Sequence, residues 1–238
     1  MKMMQQVTLS PVMGIYLSHF GYQKADVQNN IRPDENYARE VMQLFTIGLY
    51  QLNIDGTLQM DSQGNPIESY DNVDTQGLAK VFTGWNTATG TDTSGELANA
   101  AYRHGLPMML NATLHSPEEK KFLGVTIPAG TPGVESLKIA RDTLFNHNNT
   151  APFISKQLIQ RLVTSNPSPA YVARVANIFV NNGKGVRGDM KAVWSAILMD
   201  TEARQVNAAS SFGKLSEPMV RLLQWGHTFH ATSTDGAW

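Results

Sequence analysis

Two carboxylates near the start of a predicted helix are the first candidates for chemistry in this sequence. Glu35 and Glu40 lie within the segment 32–48, where apolar residues recur at the three- and four-residue spacing of a helix. One hypothesis is that Glu35, Glu40 and His115 bind a metal ion or move a proton, as in a metal-assisted hydrolase. The alternative is structural, because Glu35 and Arg39 are four residues apart and this order favours an ion pair on a helix.

Two histidines near the end of the sequence form a second candidate site. His227 and His230 are three residues apart on a predicted helix, a spacing that brings two imidazoles close enough to share a transition metal. A metal site needs further ligands, and the neighbouring sequence offers none. His227 and His230 therefore stay candidate ligands, and the sequence identifies no cofactor.

Oxygen-bearing side chains between positions 53 and 61 loosely match a calcium loop. Such a loop carries a bidentate Glu at its twelfth position, which is occupied here by Gly64. Turn chemistry explains these residues better, and the Asp-Gly and Gly-Asn-Pro sequences predict a small β-hairpin over 52–67. No repeat at a fixed period is apparent. The oxygen-bearing residues in question are Asn53, Asp55, Thr57 and Asp61.

An aromatic residue beside a polar segment suggests a third kind of site. Trp85 precedes residues 86–101, which are rich in Thr, Gly, Ser and Asn and are predicted to form a mobile surface loop. If Trp85 is exposed, it can stack on a sugar ring, as in a carbohydrate-binding module. The alternative is packing in the core, since Trp85 ends an apolar helix. An inward-facing Trp85 would remove the carbohydrate hypothesis.

The composition excludes several classes of protein. With 42% apolar residues and a net charge of -1, the chain of 238 residues is neither disordered nor attractive to nucleic acid. The absence of cysteine excludes disulfides, thiolate metal sites and a cysteine nucleophile. No apolar run approaches the length of a transmembrane segment. Met1 to Gln6 also lack the apolar run of a signal peptide.

Helical periodicity and capping residues set the predicted fold class. The pattern predicts a mainly α protein, a multi-helix globular domain with a minor β-hairpin, spanning residues 1–238 as one domain. Caps are predicted at Ser10, Asp34, Asp74, Ser168 and Asp189. The predicted helices cover 10–22, 34–48, 74–84, 134–146, 151–165, 169–182 and 190–199, with a last helix from Pro218.

Six segments together resemble the bacterial domain of unknown function 1800 family. The most specific is Arg32–Gly48, with the sequence RPDENYAREVMQLFTIG. The others are Asn53-x-Asp55-Gly56-Thr57, Phe82-Thr-Gly-Trp85, Lys121-Phe-Leu-Gly124, the helix end at 156–167, and Lys214–Leu222. The resemblance covers nearly the whole chain. Many members of the family have His-Asp where this chain has His115-Ser116, which argues against an acid–base pair there.

The resemblance carries expectations about context and not about a reaction. Members are usually longer and exported, so we expect a middle fragment of a periplasmic or otherwise exported protein, with an exported protein as a possible partner. The leading hypothesis is a non-catalytic scaffold or partner-binding module of the cell envelope. The alternatives are a metal-assisted hydrolase and a carbohydrate-binding module. No nucleic-acid partner is expected, and the sequence gives no oligomeric state.

Overall fold

Helices are the main regular elements of the structure, a computed structural model that describes residues 2–88, 105–205, 213–234 and 236. The mainly α prediction is confirmed. The helices are α1 (Lys2–Thr8), α2 (Pro11–Tyr16), α3 (Asn36–Gln43), α4 (Asn72–Ala79), α5 (Gly133–Asn146), α6 (Thr150–Leu162), α7 (Pro169–Val180), α8 (Met190–Met199), α9 (Thr201–Arg204) and α10 (Pro218–Thr228). A 3-10 turn, Lys80–Phe82, continues α4.

Side-chain caps begin several of these helices. The Ser168 side chain accepts from the Tyr171 N–H at the start of α7, and Asp189 accepts from two N–H groups of α8, as predicted. The predicted cap of α4 was wrong by three residues. Asp71 is the cap and Asp74 bonds back to it, forming a capping box.

The short sheets are antiparallel pairs. Strand β1 (Trp85–Asn86) pairs with β2 (Met109–Leu110), and β3 (Lys120–Phe122) pairs with β4 (Val125–Ile127). Asn86, predicted to begin a mobile loop, is therefore in a strand. Most of that predicted loop, from residue 89, lies outside the described residues.

Two apolar cores lie along the chain. The first contains buried residues of α3, α4 and α5, together with the β3–β4 hairpin that packs against α4. The second is formed by α6, α7 and α8. Leu144 belongs to the first core and its neighbour Phe145 to the second, so α5 connects the two.

Local differences from the predicted helices have physical causes. Helix α2 ends at Tyr16, six residues earlier than predicted, because Leu17 and Ser18 leave helical geometry and Ser18 has a φ of 58°. Ser10 makes no side-chain cap bond there. Helix α3 ends at Gln43, and Leu44, predicted to be in the apolar stripe, is 54% exposed.

Candidate functional site

The polar residues at the front of α3 pair with their neighbours. Glu35 and Arg39 form the expected i,i+4 ion pair, with 3.2 Å between Oε2 and Nη2, and both side chains are partly exposed. Asp34 Oδ1 accepts from the Asn36 N–H at 2.9 Å and from the Ser18 hydroxyl at 3.2 Å. The predicted cap at Asp34 was wrong by one residue, because Glu35 is the N-cap residue of α3 and makes no side-chain cap bond. Asp34 instead closes a turn just before the helix, and the i,i+4 pair accounts for Glu35 and Arg39.

His115, the third residue of the predicted hydrolase site, is buried in a different environment. Its Nδ1 lies 2.9 Å from the Thr83 carbonyl oxygen, so this nitrogen carries the hydrogen and donates. Burial lowers the pKa of His115, opposed by that hydrogen bond. Lys120, also buried, donates to the Ser116 carbonyl oxygen at 2.9 Å and holds the same loop.

The structure does not bring the candidate metal ligands together. Across the described ranges, no three His, Asp or Glu side chains are arranged to hold a metal ion, which covers Glu35, Glu40 and His115. His227 and His230 are both exposed at the end of α10, with no third such ligand among the described residues. His230 lies beyond the helix with a φ of 49°.

Trp85 faces inward. The side chain is 4% exposed, belongs to the first core, and donates from Nε1 to the Val81 carbonyl oxygen at 3.3 Å. Neither face of the indole is available to a sugar. This geometry meets the condition under which the carbohydrate hypothesis is dropped.

An open groove lies along α6. It has a volume of about 480 Å³. We call it the α6 groove, and it is lined by Gly48, Leu49, Tyr50, Leu52, Gly56, Thr57, Leu58, Phe153, Lys156, Gln157 and Gln160. Three of the motifs that carry the family resemblance contribute to it: the end of 32–48, the segment 53–57, and the start of 156–167.

One wall of the α6 groove is a compact β structure, which we call the turn module (residues 49–69). Its backbone hydrogen bonds form a closed ring, since Gln51 N–H donates to Ile67, Ile67 N–H to Gln59, and Gln59 N–H to Gln51. The three residues are spaced by eight positions. The predicted hairpin was therefore incomplete, because the chain forms three extended segments, each hydrogen-bonded to the other two.

The same eight-residue spacing governs the two turns of the turn module. Asn53 N–H bonds to the Thr57 carbonyl oxygen, and Asp61 N–H bonds to that of Asn65 in the same way. Asp55 Oδ1 accepts from the Thr57 N–H and hydroxyl, which lowers the pKa of Asp55. These carboxylates serve as turn acceptors, as the turn interpretation expected. The short repeat is a signal that the sequence analysis missed.

A buried asparagine fastens the turn module to α6. Asn149, with no exposed surface, donates from Nδ2 to the carbonyl oxygens of Ile47 at 2.9 Å and Tyr50 at 2.7 Å. The same nitrogen lies 2.9 Å from the Ser69 hydroxyl, and Oδ1 accepts from the Leu52 N–H at 2.9 Å. Sequence reasoning missed Asn149, since a single Asn before a helix indicates only a cap.

Close packing fixes the shape of the groove. Gly48 has a φ of 74°, and a Cβ there would lie 2.8 Å from the Phe153 ring. Lys156 Nζ donates to the Gly56 carbonyl oxygen at 3.2 Å, tying α6 to the first turn of the module. Among the described residues that line the groove, Lys156 is the one with a charge. The groove is thus a preformed apolar surface with one cation and two glutamines.

These features define a class: a mainly helical protein with an apolar groove between a helix and a closed turn module. The chain belongs to DUF1800, a family of proteins of unknown function. The model of this family matches residues 1–236. No curated protein and no solved structure matches the chain. No helix among the described residues is long and apolar enough to cross a membrane.

Proposed function

We propose that this protein is a non-catalytic, partner-binding protein whose α6 groove takes an apolar polypeptide segment that carries a carboxylate. The observation that supports the proposal most is the groove itself. It is preformed, its lining is mainly apolar, and segments distant in sequence build it. Leu49 and Tyr50 on its wall are 46% and 39% exposed, so apolar surface is already open to a partner.

The polar groups of the groove favour a peptide over a purely apolar ligand. Lys156 spends one hydrogen bond on Gly56, and an ammonium group has three donors, so it can also bind a carboxylate. The Gln157 amide makes no hydrogen bond within the described part of the chain and can pair with a peptide backbone group. Charge complementarity at Lys156 therefore selects for an acidic residue in the partner.

Selection of peptides on the whole chain tests this proposal. A library of random displayed peptides is selected against the native protein, and enriched peptides are then measured on Leu49→Glu and on Val27→Lys. Leu49→Glu adds a negative charge to the groove and should weaken binding at least about tenfold. Val27 is 93% exposed and is not a lining residue of the groove, so Val27→Lys should leave binding unchanged.

The charge requirement has its own control. Lys156→Gln should weaken peptides with Asp or Glu by about threefold to tenfold, and should not affect the same peptides with Asn or Gln in their place. Failure to enrich any peptide would contradict the proposal. Enriched peptides that bind Leu49→Glu as tightly as the native protein would contradict it as well.

We also propose that the protein works at the cell envelope, which is supported by the family resemblance alone. Fractionation of cells that produce the protein from its own gene is the direct measurement. Recovery with periplasmic or envelope material is expected, and recovery with the cytosolic fraction would overturn this part of the proposal.

A further inference from the structure

The last helix of the described chain has an apolar face that none of the described residues covers. On α10, Met219, Leu222 and Leu223 follow helical spacing with Trp225 and Phe229, and all five are more than half exposed. No residue of α10 is buried. An isolated helix of 11 residues is marginal in water, so α10 would gain stability if this face were packed against another surface.

The opposite face of α10 is polar. Helical geometry groups Arg221, Gln224, His227 and Thr228 away from the apolar face. The helix is thus two-sided in sequence while both sides meet solvent. This pattern is typical of a helix that docks into a groove with one defined face.

A short strap holds α10 at the C-terminal end of α6. Ser165 N–H donates to the Gly213 carbonyl oxygen at 2.9 Å, and Leu215 N–H donates to the Ser165 hydroxyl at 2.8 Å. Arg161 of α6 forms an ion pair with Glu217, the residue before α10. The strap (residues 213–217) therefore fixes where α10 begins relative to α6.

We propose that α10 is the chain's own ligand for the α6 groove, an inference that rests on the proposed function. If α10 runs antiparallel to α6 from the Arg161–Glu217 pair, each step forward on α10 is a step back on α6. Leu222 then comes opposite Lys156, and Trp225 opposite Phe153. In this register residues 218–225 of α10 lie opposite residues 153–160 of α6, the part of α6 that lines the groove.

Charge and dipoles favour the same arrangement. The apolar face of α10 carries no Lys or Arg that would face Lys156. An antiparallel neighbour puts the negative C-terminal end of α10 beside the positive N-terminal end of α6. Docking would bury the apolar face of α10 and the apolar lining of the α6 groove, and it would exclude any other peptide from the groove. The arm, meaning the strap with α10, thereby competes with the partner for the groove.

Paired cysteines test the docked arrangement in the whole chain, which has no cysteine of its own. In Gln157→Cys with Leu222→Cys, a disulfide or a short bismaleimide should join the two within one chain, at a rate independent of protein concentration. Gln157→Cys with Gln224→Cys is the matched control, since Gln224 is on the polar face. We expect its crosslinking to be slower by about tenfold or more, as an undocked face would require.

Binding measurements on the selected peptides give the second readout. Leu222→Gln with Trp225→Gln removes apolar side chains without placing a carboxylate opposite Lys156. It should open the arm and tighten peptide binding by about fivefold to tenfold, the factor by which a mostly closed groove reduces affinity. The crosslinked chain should not bind these peptides. Equal crosslinking of both cysteine pairs would overturn the proposal, and so would crosslinks between chains that increase with concentration, because the occupant would then be a second copy.

The two proposals can fail separately. Suppose that peptides bind through Leu49, that opening the arm does not change their affinity, and that no crosslink forms within the chain. This result would contradict docking of the arm and would leave the proposed peptide binding by the groove standing. A crosslink within the chain, with no peptide enriched on either the native or the opened protein, would support the arm contact and contradict partner binding.

Discussion

Acid should destabilise this protein through one buried histidine, His19. The side chain is 1% exposed, and its Nε2 lies 2.9 Å from the Thr8 carbonyl oxygen, so Nε2 carries the hydrogen and donates. Its Nδ1 is buried with no hydrogen-bond partner among the described residues. The ring lies against Tyr37, with 3.9 Å between ring centroids. A second proton would therefore place a charge at Nδ1 with no acceptor.

The pKa of His19 gives the size of the effect. Burial lowers it from 6.5 to about 4, against the opposing influence of the Thr8 hydrogen bond and the Asp34 charge. The folded state then binds this proton more weakly than the unfolded state. The stability that neutral His19 contributes is therefore fully present above its unfolded pKa of 6.5, and it is lost as the pH falls towards 4. The gap between the two pKa values corresponds to about 3 kcal/mol in the free energy of unfolding.

Urea unfolding at about pH 7 and about pH 4.5 measures this loss. His19→Gln keeps an amide donor for the Thr8 carbonyl oxygen and cannot titrate, so it should lose about 2.5 kcal/mol less than the native protein between the two pH values. His227→Gln, which removes an exposed imidazole, is the matched control. Burial also lowers the pKa values of His115 and His147, but both remain in every variant and cancel. Equal losses in the native protein and His19→Gln would refute the reasoning.

Two further substitutions test what holds the groove wall and the hairpin in place. Asn149→Ala should lower the free energy of unfolding by about 3 kcal/mol or more, because it leaves several buried groups unpaired. The control Asn146→Ala changes an exposed residue and should cost little. A loss below about 1 kcal/mol for Asn149→Ala would contradict the role of Asn149. Gly77→Ala should prevent stable docking of the β3–β4 hairpin, since a Cβ there would overlap the Lys121 carbonyl oxygen at 1.7 Å. Thermal unfolding should show a large loss for Gly77→Ala and almost none for Gly105→Ala, where a Cβ meets no atom within 4 Å.

Local signals in the sequence predicted the elements well where the interaction is local. The caps at Ser168 and Asp189 were predictable because each cap bond reaches only two or three residues along the chain. The Glu35–Arg39 pair was likewise predictable from spacing on one helix. Helix ends were less predictable, since an apolar residue such as Leu44 continues the periodic pattern even where the chain has left the helix.

The candidate site could not be predicted because its parts meet only in the folded chain. Asn149 bonds to residues about 100 positions away, and nothing in its neighbourhood indicates those partners. The groove depends on Gly48 meeting Phe153, a contact between segments that share no local pattern. Trp85 was ambiguous for the same reason, because one aromatic residue beside a polar segment fits a surface or a core.

The closed ring of hydrogen bonds in the turn module restricts how anything can bind beside it. A sheet with a free edge can recruit an extended peptide as an additional strand, and the extended segments of this module have no such edge where Gln51, Gln59 and Ile67 satisfy one another. An occupant of the neighbouring groove therefore cannot join this ring as a strand and must be held mainly through its side chains. A segment whose own backbone is already satisfied, as in a helix, meets that demand best.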